Sequence, residues 1–157
     1  MLTQRDKDCL RMAVDSAAVS LDDGDGPFGC IIADGKRILG SARNSTVAES
    51  NPTAHAEMIA IREACRVFKA ENLASSTAYC SCEPCPMCLA ALFYAGVTRV
   101  VFAATLEDAR GFGSGDPLVD ADWLNRQAKL GLELIAGPER ERAKALFAQY
   151  VEKFGHL

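Results

Sequence analysis

The sequence predicts an α/β protein, a three-layer α/β/α sandwich built on a mixed sheet of about five strands. The 157 residues are 49% hydrophobic and 24% charged, which is enough apolar material for one packed domain over residues 1–157. The Asp34-Gly35 pair between two strand-like segments predicts an antiparallel hairpin. Strand-like and helix-like segments then alternate, as is typical of parallel strands with helices on both faces of the sheet.

The first part of the chain predicts a helix followed by the hairpin. Thr3, with Asp6 three residues later, is typical of a helix start, and apolar residues recur at helical spacing to about Leu21. The Asp- and Gly-rich residues 22–27 predict a loop. The hairpin strands are predicted at Phe28–Ala33 and Arg37–Ala42.

The middle of the chain predicts two more helices and two more strands. Asn51-Pro52 or Thr53 is expected to cap the second helix. Its buried stripe is predicted to contain Met58, Ile61, Ala64 or Cys65, and Phe68. A short strand, Thr77–Cys80, precedes a third helix that opens near Pro84 and Pro86 and ends at Gly96.

The last third begins with a fourth strand at Arg99–Ala104. The Gly-rich segment from Thr105 to about Asp122 is expected to be a functional loop. A helical turn near Trp123, a strand around Leu132–Ile135 and a helix from Pro138 to about Phe154 are predicted to complete the fold.

Composition excludes several functional classes. Seventeen basic residues against 21 acidic ones give a net charge of −4, so we do not expect an extended grip on nucleic-acid phosphates. Basic residues on the last helix form a mild cationic face that is expected to be merely solvated: Arg140, Arg142, Lys144 and Lys153.

The apolar run Leu89–Val97 is too short to span a bilayer, and no targeting pattern is visible at the N-terminus. The expected location is the cytoplasm.

Four of the seven cysteines fall between Cys80 and Cys88, which in a reducing compartment favours a metal or redox site over a disulfide framework. Cys85 and Cys88 lie three residues apart at the predicted start of a helix, so both sulfurs can face one metal. His55 provides a third ligand of the kind that Zn²⁺ prefers. A catalytic zinc has three protein ligands and an open position for water. We therefore predict one Zn²⁺ per chain, held by these three side chains.

Glu57 stands two residues after His55 and is the candidate catalytic residue. It is expected to move protons and not to bind the metal. Zinc lowers the pKa of bound water towards about 7, and a positioned carboxylate can take the proton and return it to the substrate. Because His55 and Glu57 are two positions apart, their side chains would point about 200° apart around a helix axis. In the first turn of a helix, however, side chains can reach past the helix end, so both could point to one centre.

Three other interpretations remain open on these residues. The histidine and cysteines could be ordinary core or surface residues. Cys82 could complete a closed, structural zinc site with His55, Cys85 and Cys88, as in an interaction module. The Cys-x-x-Cys spacings could form a thioredoxin-like redox pair, although this leaves His55 and Glu57 unexplained.

The paired motifs His55-Ala56-Glu57 and Pro84-Cys85-Pro86-Met87-Cys88 resemble the signature of the cytidine-deaminase-like superfamily. Within it, the chain resembles the branch of bacterial guanine deaminases, other free-base deaminases and tRNA adenosine deaminases. The resemblance covers the first helix through Ala104. It implies the α/β/α fold, a zinc-dependent hydrolytic deaminase and usually a homodimer.

The resemblance also implies a substrate pocket. Gly26-Pro27-Phe28-Gly29 resembles the guanine deaminase pattern, and Phe28 could stack on a ring. Asn44 matches the family residue that hydrogen-bonds the base. At the position of Tyr94, guanine deaminases carry an aromatic residue, whereas tRNA adenosine deaminases carry other residues. The loop acid of guanine deaminases aligns with either Asp116 or Ser114. The candidate substrate contacts are therefore Asn44, Phe28, Ala54, Tyr94 and Asp116.

These features predict deamination of a small free heterocyclic base, guanine first, to xanthine and ammonia. A tRNA adenosine deaminase, which needs a base splayed out of a single-stranded loop, is the first alternative. A cytosine-type deaminase and a structural zinc module are the others. No membrane partner is expected, and nucleic acid is an unlikely one.

Overall fold

The computed structural model describes residues 1–35, 37–117 and 119–157, and its fold confirms the predicted three-layer α/β class. The predicted loop 105–122 includes position 118, which lies outside the described residues. The helices and strands are α1 (Gln4–Asp22), β1 (Gly29–Asp34), β2 (Arg37–Arg43), α2 (Ala56–Phe68), β3 (Thr77–Cys82), α3 (Pro86–Tyr94), β4 (Arg99–Ala104), α4 (Leu106–Gly111), α5 (Ala121–Gln127), β5 (Glu133–Ala136) and α6 (Arg140–Phe154).

The strands form one mixed sheet in the order β2-β1-β3-β4-β5. The β1–β2 hairpin is antiparallel, as predicted from its turn, and β1 also pairs antiparallel with β3. The β3–β4 and β4–β5 pairs are parallel, as the alternation of strands and helices predicted. The carboxyl ends of β3 and β4 therefore lie at the same edge of the sheet.

Each face of the sheet is buried under a different set of helices. Alternate strand residues such as Ile31 and Val101 face α1 and α6, where Phe147 is fully buried. The residues between them, such as Ile32 and Val100, face α2 and α3. This alternation follows from the two-residue repeat of a β-strand and explains why the strands are apolar on both faces.

The predicted start of α2 was wrong, and its predicted buried stripe was right only at Ala64. The N-cap residue is His55, and the fully buried residues are small: Ala56, Ala60 and Ala64. A Cβ at Gly40 of β2 would collide with the Ala60 carbonyl oxygen, so the glycine lets the helix backbone lie directly against the sheet. The larger apolar residues of the predicted stripe flank this contact and are only partly buried: Met58, Ile61, Cys65 and Phe68.

The segment predicted as a loop after β4 contains the short helix α4. Thr105 accepts from the Asp108 backbone N–H and Asp108 accepts from the Thr105 N–H, which is a complete capping box. Arg140 of α6 donates two hydrogen bonds to Asp108 at 2.8 and 2.9 Å. A local sequence signal for this helix was therefore present in the Thr105-to-Asp108 spacing.

The predicted cap of α1 is confirmed, and it places a buried carboxylate under the helix. Asp6 is 5% exposed and accepts hydrogen bonds from Thr3, from Tyr79 Oη at 2.8 Å and from Arg99 at 2.7 Å. Burial opposes ionisation, but the hydrogen bonds from Arg99, Thr3 and Tyr79 outweigh it and hold the pKa of Asp6 below its ordinary value.

Asp6→Asn is expected to lower the free energy of unfolding at pH 7 by about 2–4 kcal/mol, because the partly buried Arg99 loses its buried anion and keeps the exposed Glu133, which is 3.6 Å away. Since the folded-state pKa of Asp6 is depressed, its stabilising contribution is full at neutral pH and is lost as the pH falls below about 4. The measurement is urea unfolding of both proteins at pH 7 and pH 3. Asp8→Asn, on the exposed face of the same helix, is the control. An equal difference at both pH values would contradict this account.

None of the helices in the described part of the chain is long and apolar enough to cross a membrane.

Candidate active site

A pocket of about 270 Å³ opens at the carboxyl ends of β3 and β4. The N-termini of α2 and α3 point towards it, and the residues around β1 and β2 form its opposite side. In open α/β sheets, ligands bind at this edge of the sheet. The pocket therefore lies where the fold favours a ligand.

Two helix starts bring the predicted metal ligands together. His55 is the N-cap of α2 and Cys85 is the N-cap of α3, and neither side chain is used to cap its helix. Cys88 follows in the first turn of α3. The ligating atoms of these three residues all lie within 4.8 Å of one another. The predicted ligand set is thus one cluster, partly buried at the pocket floor.

The cluster has the dimensions that zinc requires. Tetrahedral zinc, with Zn–S of about 2.3 Å and Zn–N of about 2.0–2.1 Å, holds a nitrogen and a sulfur ligand about 3.5 Å apart. The His55 Nδ1 atom lies 3.7 Å from the Cys85 sulfur and 3.5 Å from the Cys88 sulfur. One nitrogen and two sulfurs therefore fit a single zinc ion, with one coordination position left for another ligand.

Cys82 does not take that fourth position. Its sulfur lies 3.5 Å from the Thr105 carbonyl oxygen, to which the thiol donates. Among the described residues, the group that could hold a metal contains His55, Cys85 and Cys88 without Cys82. The geometry therefore favours an open, three-ligand zinc site over the closed, structural one.

The electrostatics of the cluster favour a thiolate. The hydrogen bond from Cys88 and the contact with His55 outweigh burial and lower the pKa of Cys85 to about 5. The same hydrogen bond and burial raise the pKa of Cys88, which holds the shared proton. The pKa of His55 is raised, first by its hydrogen bond with Cys85. Cys85 is therefore a thiolate at neutral pH, the form of cysteine that binds a metal.

Glu57 lines the pocket but lies outside the ligand cluster. It occupies the second position of α2 and is 7% exposed. Burial, with the neighbouring Cys85 thiolate, raises its pKa to about 7, which is the range that a proton carrier needs at neutral pH. The 200° separation from His55 is not a constraint, because His55 has extended backbone angles and precedes the helix.

Three of the five candidate substrate contacts line the pocket: Phe28, Asn44 and Asp116. Ser114 lines it too, and its hydroxyl donates to Asp116 at 2.7 Å. Both residues that aligned with the family's loop acid are therefore present at the pocket wall. Because Ser114 and Asp116 are hydrogen-bonded to each other, the two candidate positions lie side by side in the pocket wall.

The structure does not bring Ala54 or Tyr94 into this pocket. Ala54 is fully buried, and its backbone bonds to Ser45 and Asn51. Tyr94, the last residue of α3, is 84% exposed and packs on Phe93 at a ring distance of 5.7 Å. The family resemblance implied both contacts, but neither residue lines the pocket.

Several pocket residues were missed by sequence reasoning. Glu83 lies beside the cysteine motif, and its carboxylate accepts from the backbone N–H groups of Leu106 at 3.0 Å and Ala121 at 2.8 Å. It thereby holds the first residues of α4 and α5 next to the Pro84-to-Cys88 segment. Tyr150 and Leu157 reach the pocket from the other end of the chain, where no local signal marked them.

Comparison with known proteins agrees with this geometry. Residues 3–104 match the model of the cytidine and deoxycytidylate deaminase zinc-binding region. The guanine deaminase of Bacillus subtilis is 40% identical over 111 residues, which cover 70% of this chain and 71% of that protein. The tRNA-specific adenosine deaminase of Aquifex aeolicus is 36% identical over 120 residues, which cover 76% and 80%.

A guanine deaminase structure from Nitrosomonas europaea shares the fold with a TM-score of 0.84 at 22% identity, covering 96% of this chain and 86% of that one. The family match includes both halves of the zinc cluster and Glu57. The chain therefore belongs to the cytidine and deoxycytidylate deaminase zinc-binding family and is a zinc-type hydrolytic deaminase.

Proposed function

We propose that the chain deaminates a small free amino-heterocycle, with guanine as the first candidate and xanthine and ammonia as the products. The observation that carries this proposal is the size of the cavity beside the zinc cluster. Its volume of about 270 Å³ is at the lower end of the range for small-molecule sites. Phe28, Tyr150 and Leu157 contribute its apolar walls, which suit a planar ring.

Each residue has a separate role in the proposed reaction. His55, Cys85 and Cys88 would hold the zinc, which supplies a water of lowered pKa when bound. Glu57 takes one proton from the attacking water and passes it to a ring nitrogen; it then takes the second proton, from the newly added hydroxyl, and passes it to the departing amine. A carbon–oxygen bond forms at the carbon that carries the exocyclic amine, and its carbon–nitrogen bond breaks. Water and guanine are thus converted to xanthine and ammonia.

Phe28 and Asn44 would orient the base. The Phe28 ring packs on Phe147 at 5.6 Å, so its place beside the pocket is fixed by the core. Asn44 is 5% exposed and offers an amide at the pocket wall. A buried amide discriminates strongly against ligands that leave it unpaired, so this residue supports selection among bases.

The charges of α6 argue against the tRNA alternative. Three of the cations that sequence analysis placed on one face already pair with carboxylates: Arg140 with Asp108, Arg142 with Asp15 and Lys144 with Glu141. Binding of RNA phosphates would have to displace these partners. This observation favours the free base over an anticodon loop, although relatives of both kinds are similar to the chain.

We also propose that the chain forms a homodimer. Its support is three exposed apolar side chains on α2 and α3, of which the last two pack on each other: Val67, Phe93 and Tyr94. Sedimentation equilibrium measures the oligomeric state directly, and a monomer at micromolar concentration would contradict this proposal.

Ammonia release from a substrate panel tests the proposed function. Zinc-loaded protein is expected to turn over guanine at least about 100-fold faster, in kcat/KM, than cytosine, adenine or guanosine, because a polar site rejects a mismatched edge or an added sugar strongly. An anticodon stem-loop RNA, scored for inosine, is included. Deamination of that RNA with guanine inert would overturn the proposal in favour of the tRNA alternative.

A further inference from the structure

Asp25 is a buried carboxylate for which the proposed chemistry has no role. It lies in the loop between α1 and β1, is 2% exposed and does not line the pocket. Five donors surround it within 3.1 Å: the side chains of Asn44 and Thr46 and the backbone N–H groups of Gly26, Val47 and Ala48. Four of these donors belong to residues that line the pocket: Gly26, Asn44, Thr46 and Val47. Asp25 therefore holds the residues of one pocket wall in place through hydrogen bonds, without lining the pocket itself.

The hydrogen bonds fix which end of the Asn44 amide faces Asp25. The Asn44 Nδ2 atom donates to Asp25 Oδ1 at 2.6 Å and to Thr46 Oγ1 at 3.0 Å. The Thr46 hydroxyl has one hydrogen, which it donates to Asp25 at 3.1 Å, so towards Asn44 it can only accept. Both hydrogens of the amide are consequently donated within this network, to Asp25 and to Thr46.

An ionised carboxylate accepts hydrogen bonds and donates none. Burial opposes ionisation of Asp25, but the hydrogen bonds from Ala48, Gly26, Thr46 and Asn44 outweigh it and lower its pKa. Rotating the Asn44 amide by 180° would place Oδ1 against this carboxylate, acceptor against acceptor. The amide is therefore locked in one orientation before any ligand arrives.

We propose that Asp25 is a positioning residue: it locks the Asn44 amide so that Oδ1 is the atom presented to the substrate. This inference rests on the proposed function, and it specifies the ligand further. The edge of the heterocycle that meets Asn44 must carry an N–H donor, which guanine has on both of its rings. A heterocycle with only acceptors on that edge would leave two buried acceptors facing each other and is rejected.

Asp25→Asn removes the lock, because an amide in this position can also donate to Oδ1 of Asn44. We expect kcat/KM for guanine to fall about 10- to 100-fold, the cost of an unsatisfied buried polar contact, with the loss mainly in KM and with zinc content unchanged. The matched control is Asp23→Asn. Asp23 lies two residues away and is 51% exposed, and its carboxylate pairs with Arg43.

The double variant Asp25→Asn/Asn44→Asp distinguishes a positioning role from a merely structural one. The introduced amide donates to the introduced carboxylate, whose second oxygen presents an acceptor to the pocket again. Recovery of about tenfold in kcat/KM over Asp25→Asn alone is expected. A double variant that is folded and zinc-loaded but no more active would show that the pocket needs a donor from residue 44, and would overturn the proposal.

A measurement without substrate separates this inference from the proposed function. In ¹⁵N-labelled wild-type protein, the Asn44 side-chain NH2 should exchange with solvent slowly, because both hydrogens are donated within the protein. Exchange should be at least about tenfold faster in Asp25→Asn and unchanged in Asp23→Asn. Fast exchange in the wild type would overturn the locked orientation. Wild-type protein that fails to deaminate guanine would contradict the proposed function but leave this result standing.

Discussion

Glu57→Gln is expected to reduce kcat about 10²- to 10⁴-fold, the range contributed by a positioned general acid and base. Glutamine fills the same space and keeps a polar end, but it cannot take a proton from water and pass it to the base. Zinc content should not change, because Glu57 lies outside the ligand cluster. The measurement is steady-state ammonia release from the best substrate, with zinc quantified in the same samples.

Glu63→Gln is the matched control for that experiment. Glu63 lies on the exposed side of the same helix, where its carboxylate accepts from the Ser41 backbone N–H at 2.8 Å, away from the pocket. The thermal stability of Glu57→Gln should lie close to that of the wild type, since glutamine fills the space of the buried glutamate. A Glu57→Gln enzyme that keeps more than about a tenth of the wild-type kcat would refute the assigned role.

Replacement of a zinc ligand is expected to abolish turnover and metal binding together. His55→Ala and Cys88→Ala each remove one of only three protein ligands, and the remaining two cannot hold the ion at the affinity of a catalytic site. Both variants should contain well under about 0.1 zinc per chain and show no measurable ammonia release. In the wild type, a chelator should remove activity that added zinc restores.

Cys82→Ser separates the ligand cysteines from their neighbour. Cys82 lies two residues before the Pro84-to-Cys88 motif and lines the same pocket, but its thiol donates to the Thr105 carbonyl and lies outside the ligand cluster. This variant should keep a full zinc equivalent. Loss of zinc in Cys82→Ser, or full zinc content in Cys88→Ala, would contradict the three-ligand assignment.

The reaction class could be predicted from the sequence because its chemistry lies in two short motifs. His55 and Glu57 fall in one, and Cys85 and Cys88 in the other, and both stand at helix starts. A helix start leaves side chains free to converge on one point. Local spacing therefore places each metal ligand at the start of a helix. The packing of the fold then brings the two helix starts together.

The rest of the pocket depends on contacts that span the chain and leave no local pattern. Asp25 reaches Asn44 across 19 positions, and Tyr150 and Leu157 return to the site from the last helix and beyond. The large apolar residues of the predicted α2 stripe are only partly buried, because side-chain size alone does not decide which residues contact a sheet. At Ala60, close approach to the sheet selects a small side chain instead.

The most direct test of the central claim is zinc X-ray absorption of the loaded wild-type protein. The three-ligand site predicts two sulfurs at about 2.3 Å and two nitrogen or oxygen neighbours at about 2.0–2.1 Å, one of them from His55 and one from water. Three sulfurs around the zinc would mean that Cys82 closes the coordination sphere. That result would contradict a catalytic site and identify a structural one.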